Sequence, residues 1–296
     1  MKFGILGNLT KPALREVSSV LLSFLKRKKI SYILDTELGV YLNSKSKGNL
    51  VSKKEVCPEV DLPKKCDILI ALGGDGTMLA AARLVGSAGT PILGVNLGKL
   101  GFLAEVSVDE LEHVISDILK KKYTVQDRQV LEATAKKDGA KYYALNEIVV
   151  DKGASARVIN LETYVNNDYL VTYSADGIIV NTPTGSTAYS LATGGPIVAP
   201  ESNVLTINPI APHTLTARPL IIPEGSIVRI VADSGGKSVH ITADGQVEGF
   251  YDTPAEFVVR KAPYTIKLVK IMKRTFYDLL RTKLLWGRDV RTGGRK

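Results

Sequence analysis

The chain has 296 residues, enough for two domains or one large one. Hydrophobic residues make up 45% and charged residues 23%, a globular composition, and no apolar run approaches the roughly 20 residues that span a bilayer. The net charge of +9 suits a nucleic acid or a polyanionic small substrate. The basic runs "KRKK" (Lys26 to Lys29) and "KKK" (Lys120 to Lys122) look like solvated helix ends, and no aromatic residues interleave with these lysines as a stacking platform for single strands would require.

In chain order, Lys2 to Leu6 is a short apolar strand, too short for a signal peptide core. A helix follows, with Pro12 near its first turn and Leu14, Val17, Leu21, Phe24 and Leu25 on one face. Ile30 to Leu34 is a second strand. Residues 35 to 66 are polar and aperiodic, which predicts a long loop with at most a short element. Asp67 to Leu72 is apolar on both faces, as buried parallel strands are. Thr77 to Val85 is helical, and Thr90 to Asn96 is another buried strand. "VDELEHVISDILKKK" has acids in its first turn and lysines in its last, which polarises it as a helix. This alternation predicts a Rossmann-like parallel α/β domain over residues 1–125.

From 126 to 269 helical periodicity nearly vanishes. Segments such as "ALNEIVV", "GIIVNTP" and "PLIIPEGSIVRIVAD" are β-branched and punctuated by turn signals, which predicts an all-β, sandwich-like domain. "FYDLLRTKLLWG" regains helical spacing and is expected to pack back on the first domain, completed by residues 270–296. Cys57 and Cys66 lack metal-ligand spacing, so a reduced cytoplasmic setting is expected. His113, His213 and His240 show no metal spacing either, and no metal site built from the chain's own residues is expected.

Chemistry concentrates in a few stretches. In "ILIALGGDGTMLAAARL" a strand runs through Gly73-Gly74-Asp75-Gly76-Thr77 into a helix. Such a turn offers backbone N–H groups and a positive dipole end to a phosphate. It is not a G-x-G-x-x-G turn, because Leu79 occupies the last glycine position, and the chain's only Walker A candidate, "GGKS" at Gly235 to Ser238, fails because Val231 stands where the first glycine belongs. Asp75 is either a helix N-cap or a carboxylate for phosphoryl transfer, helping to hold a divalent cation or accepting the proton of an attacking hydroxyl. "SADGIIVNTPTGSTAYSLATGGPIVAP" is too rich in hydroxyls and glycines for core. It suits a ligand loop or a helix-capping turn, and Asp176 could simply form a turn. Asn146-Glu147 interrupts an apolar strand, so Glu147 either faces water or is paired, for example with vicinal ribose hydroxyls. Phe102, after the glycines of "LGVNLGKLGFLAE", is a core residue or bounds a nucleobase. "ADGQ" looks like a hairpin turn.

Together, "GGDGT", "GVNLGKLGFL", "NE", "DGIIVNTPTGSTAYSLATGGPI", "APHTLTARPLIIP", "DGQ" and "LLRTKLLWG" resemble the NAD kinase family over nearly the whole chain. "GGDGT" alone also resembles diacylglycerol-type lipid kinases, whereas "TPTGSTAYS" is far more specific. The resemblance implies that ATP and NAD are the substrates, with Mg²⁺ or another divalent cation bound with ATP. It implies Asp75 as proton acceptor for the adenosine 2′-hydroxyl, with Gly76 lining the same site. Gly73, Gly74, Gly76 and Thr77 would cradle the ATP phosphates. Asn146 and Glu147 would hold the NAD riboses, Asp176 the nicotinamide end, and Phe102 would pack on the dinucleotide. Thr187, Ala188, Tyr189 and Ser190 would line its pocket, with Leu191 and Ala192 nearby, and Arg157, Ser174, Ala211 and Gln246 fall at ligand-contacting positions. The family's fold is an α/β domain plus a β domain, and its members are homodimers or homotetramers. Nucleic acid and membrane are not expected as partners. A lipid kinase sharing the turn, or a nucleotide sensor without turnover, are the rival readings.

Overall fold

The computed structural model describes residues 1–44, 50–98, 100–271 and 274–286. Lys99 and Gly287 of the quoted motifs, and the basic C-terminal tail, lie outside the described residues. The chain divides into two compact units. The first is Met1–Gln126 with the described residues from Lys267 on, and the second is Asp127–Ile266.

The first unit alternates strand and helix. Its strands are β1 (Lys2–Gly7), β2 (Ser31–Asp35), β3 (Val56–Cys57), β4 (Ile68–Gly73), β5 (Ile92–Asn96) and β6 (Val106–Ser107). They pair in parallel in the order β5-β4-β1-β2-β3, with β6 also against β5. Its helices are α1 (Leu14–Arg27), α2 (Thr36–Ser44), α3 (Leu62–Lys65), α4 (Asp75–Val85) and α5 (Leu111–Leu119). The predicted face of α1 is the buried one: Leu14, Val17, Leu21, Phe24 and Leu25 join Phe3, Ile5, Ile70, Leu93 and Ile115 in one core. β4 and β5 are buried along their whole length, which explains their unbroken apolar sequence.

Segment 35 to 66 departs from the predicted loop. The nine-residue α2 buries Leu38 and Leu42, spaced i,i+4, and the Asp35 carboxylate accepts from Leu38 N–H at 3.1 Å. Two apolar contacts and a cap from the preceding strand suffice for a helix that the polar composition hides.

The second unit holds β7 (Thr124–Ala135), β8 (Lys141–Ala144), β9 (Glu147–Asp151), β10 (Ile159–Val165), β11 (Asp168–Ala175), β12 (Gly177–Asn181), the short α6 (Tyr189–Ala192), β13 (Val204–Ile210), β14 (Leu220–Pro223), β15 (Val228–Asp233), β16 (Ser238–Ala243), β17 (Val247–Asp252) and most of β18 (Ala255–Lys270). One antiparallel sheet runs β14-β13-β12-β9-β16-β17. Strands β11-β10-β15-β18, with β7 and β8 beyond, form the other layer. Their inner faces share a core including Leu131, Ile148, Val150, Leu161, Ile178, Val180, Ile207, Ile230, Val239 and Phe257, which is the predicted sandwich. The end of β18 lies in the first unit, where Leu268 pairs in parallel with Ile92 of β5. There the last helix, α7 (Phe276–Leu284), buries Leu279 and Leu280.

Candidate active site

In the first unit β4 delivers the chain into α4 through Gly73 and Gly74. Gly74 is the N-cap residue, in extended conformation, and Asp75 is already the first helical residue. The N-cap reading of Asp75 therefore does not hold. Its carboxylate turns instead to the segment after β5, where it accepts from three consecutive backbone amides: Phe102 N–H at 2.8 Å on Oδ2, and Leu103 N–H at 2.9 Å and Ala104 N–H at 3.1 Å on Oδ1. Gly101 makes this cradle possible, because a Cβ there would overlap Asp75 Oδ1. A carboxylate offers about four lone-pair directions, so Oδ2, with one donor among the described residues, keeps a direction open.

The helix that Asp75 begins is eleven residues long. Its positive end favours anions at the Gly73 to Thr77 turn. The Thr77 hydroxyl is buried there with no hydrogen-bond partner among the described residues. Phe102 is half-buried rather than a core residue, and the Lys283 ammonium of α7 lies 5.7 Å from its ring centroid.

In the second unit the Asn146-Glu147 step opens β9. Asp244, in the turn from β16 to β17, accepts from Leu145 N–H (2.9 Å), Asn146 N–H (2.7 Å) and Glu147 N–H (3.2 Å). The hairpin reading of "ADGQ" is right for the backbone, but the aspartate side chain also fixes the start of a neighbouring strand. The loop after β12 interlocks with the same step. Thr182 N–H donates to Asn146 C=O at 2.9 Å and the Thr182 hydroxyl to Leu145 C=O at 2.6 Å. A Cβ on Gly185 would overlap Asn146 C=O.

Glu147 does not face water. It is 6% exposed, and its Oε2 has no partner among the described residues. Burial, and then the neighbouring Asp244 charge, push its pKa up to about 8, while the Tyr189 N–H bond to the carboxylate opposes them. Burial also raises the Tyr189 phenol, followed by the charges of Asp151, Asp176 and Glu147, so this half-exposed ring sits among three carboxylates. The β9–β12 ladder pairs Glu147 with Asn181 and Asp151 with Gly177. Glu147 and Asp176 thus stand at opposite ends of a stretch of roughly 15 Å.

The hydroxyls of the Thr182 to Ser190 loop divide between two tasks. Thr182, Ser186 and Ser190 are fully buried. Ser186 Oγ donates to Pro183 C=O at 2.7 Å and accepts from Val198 N–H at 3.0 Å, so it serves the loop itself. Thr187, Ala188, Tyr189, Leu191 and Ala192 keep exposed surface. Asp176 is ion-paired with Lys152 Nζ at 2.6 Å, and its N–H donates to Ile210 C=O, beside Ala211. Ser174 C=O accepts from His213 N–H. Ser174, Asp176 and Ala211 therefore share one corner and Asn146 and Glu147 another, with Tyr189 within electrostatic reach of both Glu147 and Asp176. Arg157 is exposed on the β9–β10 loop, and Gln246 lies in the Asp244 turn.

Sequence reasoning missed Asp244, the amides of residues 102 to 104, and the mostly buried Lys270. "ADGQ" marked the Asp244 turn but not what its carboxylate holds, the glycines before Phe102 marked the cradle but not its acceptor, and Lys270 had a signal in its register. In "TIKLVK" it falls in step with Ile266 and Leu268, both buried on alternate positions of β18.

Residues 3–123 match the family model described as the ATP-NAD kinase N-terminal domain, and residues 145–271 match that of the ATP-NAD kinase C-terminal domain. A curated NAD kinase from Moorella thermoacetica is 40% identical over 97% of this chain and 90% of its own length. One from Geobacter sulfurreducens is 39% identical over 97% and 99%. Among solved structures, yeast NADH kinase complexed with NADH is similar at a TM-score of 0.88 and 28% identity, covering 98% of this chain and 89% of that one. An NAD kinase from Archaeoglobus fulgidus in complex with ATP shares the fold at a TM-score of 0.74 and 24% identity, covering 95% and 97%.

Proposed function

Because the chain belongs to the ATP-NAD kinase family, we infer that it transfers the γ-phosphoryl group of ATP to the 2′-hydroxyl of the adenosine ribose of NAD, giving NADP. The observation that carries this reading is the Asp75 carboxylate, held by three amides at the mouth of a phosphate turn with one lone-pair direction open on Oδ2.

The helix end at Gly73, Gly74, Gly76 and Thr77 receives the donor phosphates. Asp75 orients the 2′-hydroxyl and takes its proton as the oxygen–phosphorus bond forms and ADP leaves. The buried Oε2 of Glu147, unpartnered among the described residues, supports a ribose site with Asn146, since diol hydroxyls can donate to the carboxylate or accept from its protonated form. Asp176, at the far end of the β9–β12 ladder, is assigned the nicotinamide end. Thr187 to Ala192 and Phe102 line the dinucleotide, with Arg157, Ser174, Ala211 and Gln246 at its margins.

A divalent cation fits as a companion of the nucleotide. Among the described residues no three His, Cys, Asp or Glu side chains are grouped as a cage, and Mg²⁺ is commonly held by substrate phosphates and water with few carboxylates. Bound with ATP it supplies positive charge to the transferring phosphoryl group. We also assign the protein to the cytoplasm as a homodimer or homotetramer. No described helix is long and apolar enough to cross a membrane. Exposed Ile221 on edge strand β14 and Phe250 on edge strand β17 offer apolar surface to a second copy.

Asp75→Asn tests the central role. It should lower kcat by about 10²- to 10⁴-fold while NAD still binds by calorimetry. Unchanged turnover would remove Asp75 from the chemistry.

A further inference from the structure

Strand β18 ends on a mostly buried cation. The Lys270 side chain is 16% exposed, and its Nζ donates to Glu105 Oε1, itself 13% exposed. Burial pushes the Lys270 pKa down to about 8, and the charge of Asp75 opposes that shift, which sets the ammonium within electrostatic reach of the carboxylate. Glu105 is the next residue after the Phe102-Leu103-Ala104 run that cradles Asp75. Arg274 holds the same residue by its backbone, Nη1 donating to Glu105 C=O at 3.2 Å, and its Nη2 lies 3.6 Å from Glu110. Both basic residues come from the returning C-terminal part of the chain, and both act on the one residue that ends the cradle.

A buried ion pair contributes little net stability compared with an apolar pair of the same volume, because desolvation offsets the attraction. Glu105 lines a small cavity with Gly94, Leu103, Val106, Val114, Val269 and Ile271 as well as Glu110 and Arg274, so apolar side chains are at hand where Lys270 meets it. Stability alone is a poor reason for the pair. Its geometry supplies another: it pins the far end of a segment whose three amides must all point at one carboxylate.

We propose that Lys270 is a positioning residue for phosphoryl transfer, acting through Glu105 to lock the Phe102–Ala104 amides that aim Asp75. This rests on the assignment of Asp75 as proton acceptor. No contact of Lys270 with either substrate is invoked.

The test is turnover together with hydrogen exchange in Lys270→Met, Lys270→Arg and Glu105→Gln, each prepared as the full chain. Lys270→Met should lower kcat about 10- to 100-fold with the KM values for ATP and NAD within about twofold, since misaim costs rate rather than binding. The amides of residues 102 to 104 should exchange faster, and Lys270→Arg should restore most of the loss. Glu105→Gln, which keeps size and hydrogen-bonding capacity, should move both readouts the same way, and it carries the test if Lys270→Met does not fold. Unchanged kcat per folded molecule with only a lowered Tm, or unchanged exchange of the three amides, would overturn the proposal. The two readings fail separately. Full turnover in Asp75→Asn removes the acceptor role, whereas the latch stands or falls on amide exchange in the Lys270 and Glu105 variants.

Discussion

Asp75 and Glu147 are two carboxylates handled in opposite ways. Asp75 is saturated on one oxygen by backbone donors and left one direction on the other. Glu147 is buried with an oxygen that no described residue satisfies, a costly arrangement unless a ligand completes it. Its pKa, raised from 4.5 to about 8, makes the free protein hold a proton there that the unfolded chain releases. The native state then binds more protons than the unfolded state across that window, so folding stability falls as pH rises from about 4.5 to about 8. Below the window both states are protonated and the penalty is absent. Denaturant unfolding of the ligand-free protein at several pH values should show this decline, and Glu147→Gln should flatten it. A slope unchanged by that substitution would mean that Glu147 is not the group responsible. The sequence marked Glu147 as anomalous, because a carboxylate in an apolar strand must be either solvated or paired. It could not choose, because Asp244, whose like charge helps hold the proton on, arrives from a hairpin 97 residues away.

At the scale of elements, the α/β alternation was legible because burial imposes period. The stripe on α1 and the double-faced burial of β4 follow directly from their sequences. α2 was not legible, since only Leu38 and Leu42 mark its buried face and its cap comes from Asp35 at the end of a strand. The cradle around Asp75 was half legible. The glycines of "LGKLGF" signal close approach, but backbone amides carry no side-chain signature that names their acceptor. Gly101 is where the two meet. Gly101→Ala should place a methyl group against Asp75 Oδ1 and open the cradle. Turnover should fall about a hundredfold, the cost expected for a catalytic group displaced by about an ångström. Steady-state kinetics with a Tm measurement checks this, and full activity in that variant would mean that the amide cradle does not set the aim of Asp75.

At the scale of the whole molecule, both units match the two halves of one enzyme family, and the chain spans nearly the full length of its curated relatives. The parallel unit carries the Gly73–Thr77 turn at the start of α4, and the β unit carries the Asn146-Glu147 step interlocked with Thr182 to Ser190. A lipid kinase sharing "GGDGT" would need an apolar acceptor groove rather than this buried carboxylate and hydroxyl-rich loop. A nucleotide sensor would have no use for the proton acceptor proposed at Asp75. The measurement that separates these is incubation of the full chain with ATP, Mg²⁺ and NAD, followed by an assay for NADP, beside a parallel reaction offering diacylglycerol as acceptor. NADP formed in step with ADP, and abolished by Asp75→Asn, is the predicted result. ADP formed only with the lipid, or tight nucleotide binding with no NADP at all, would contradict it.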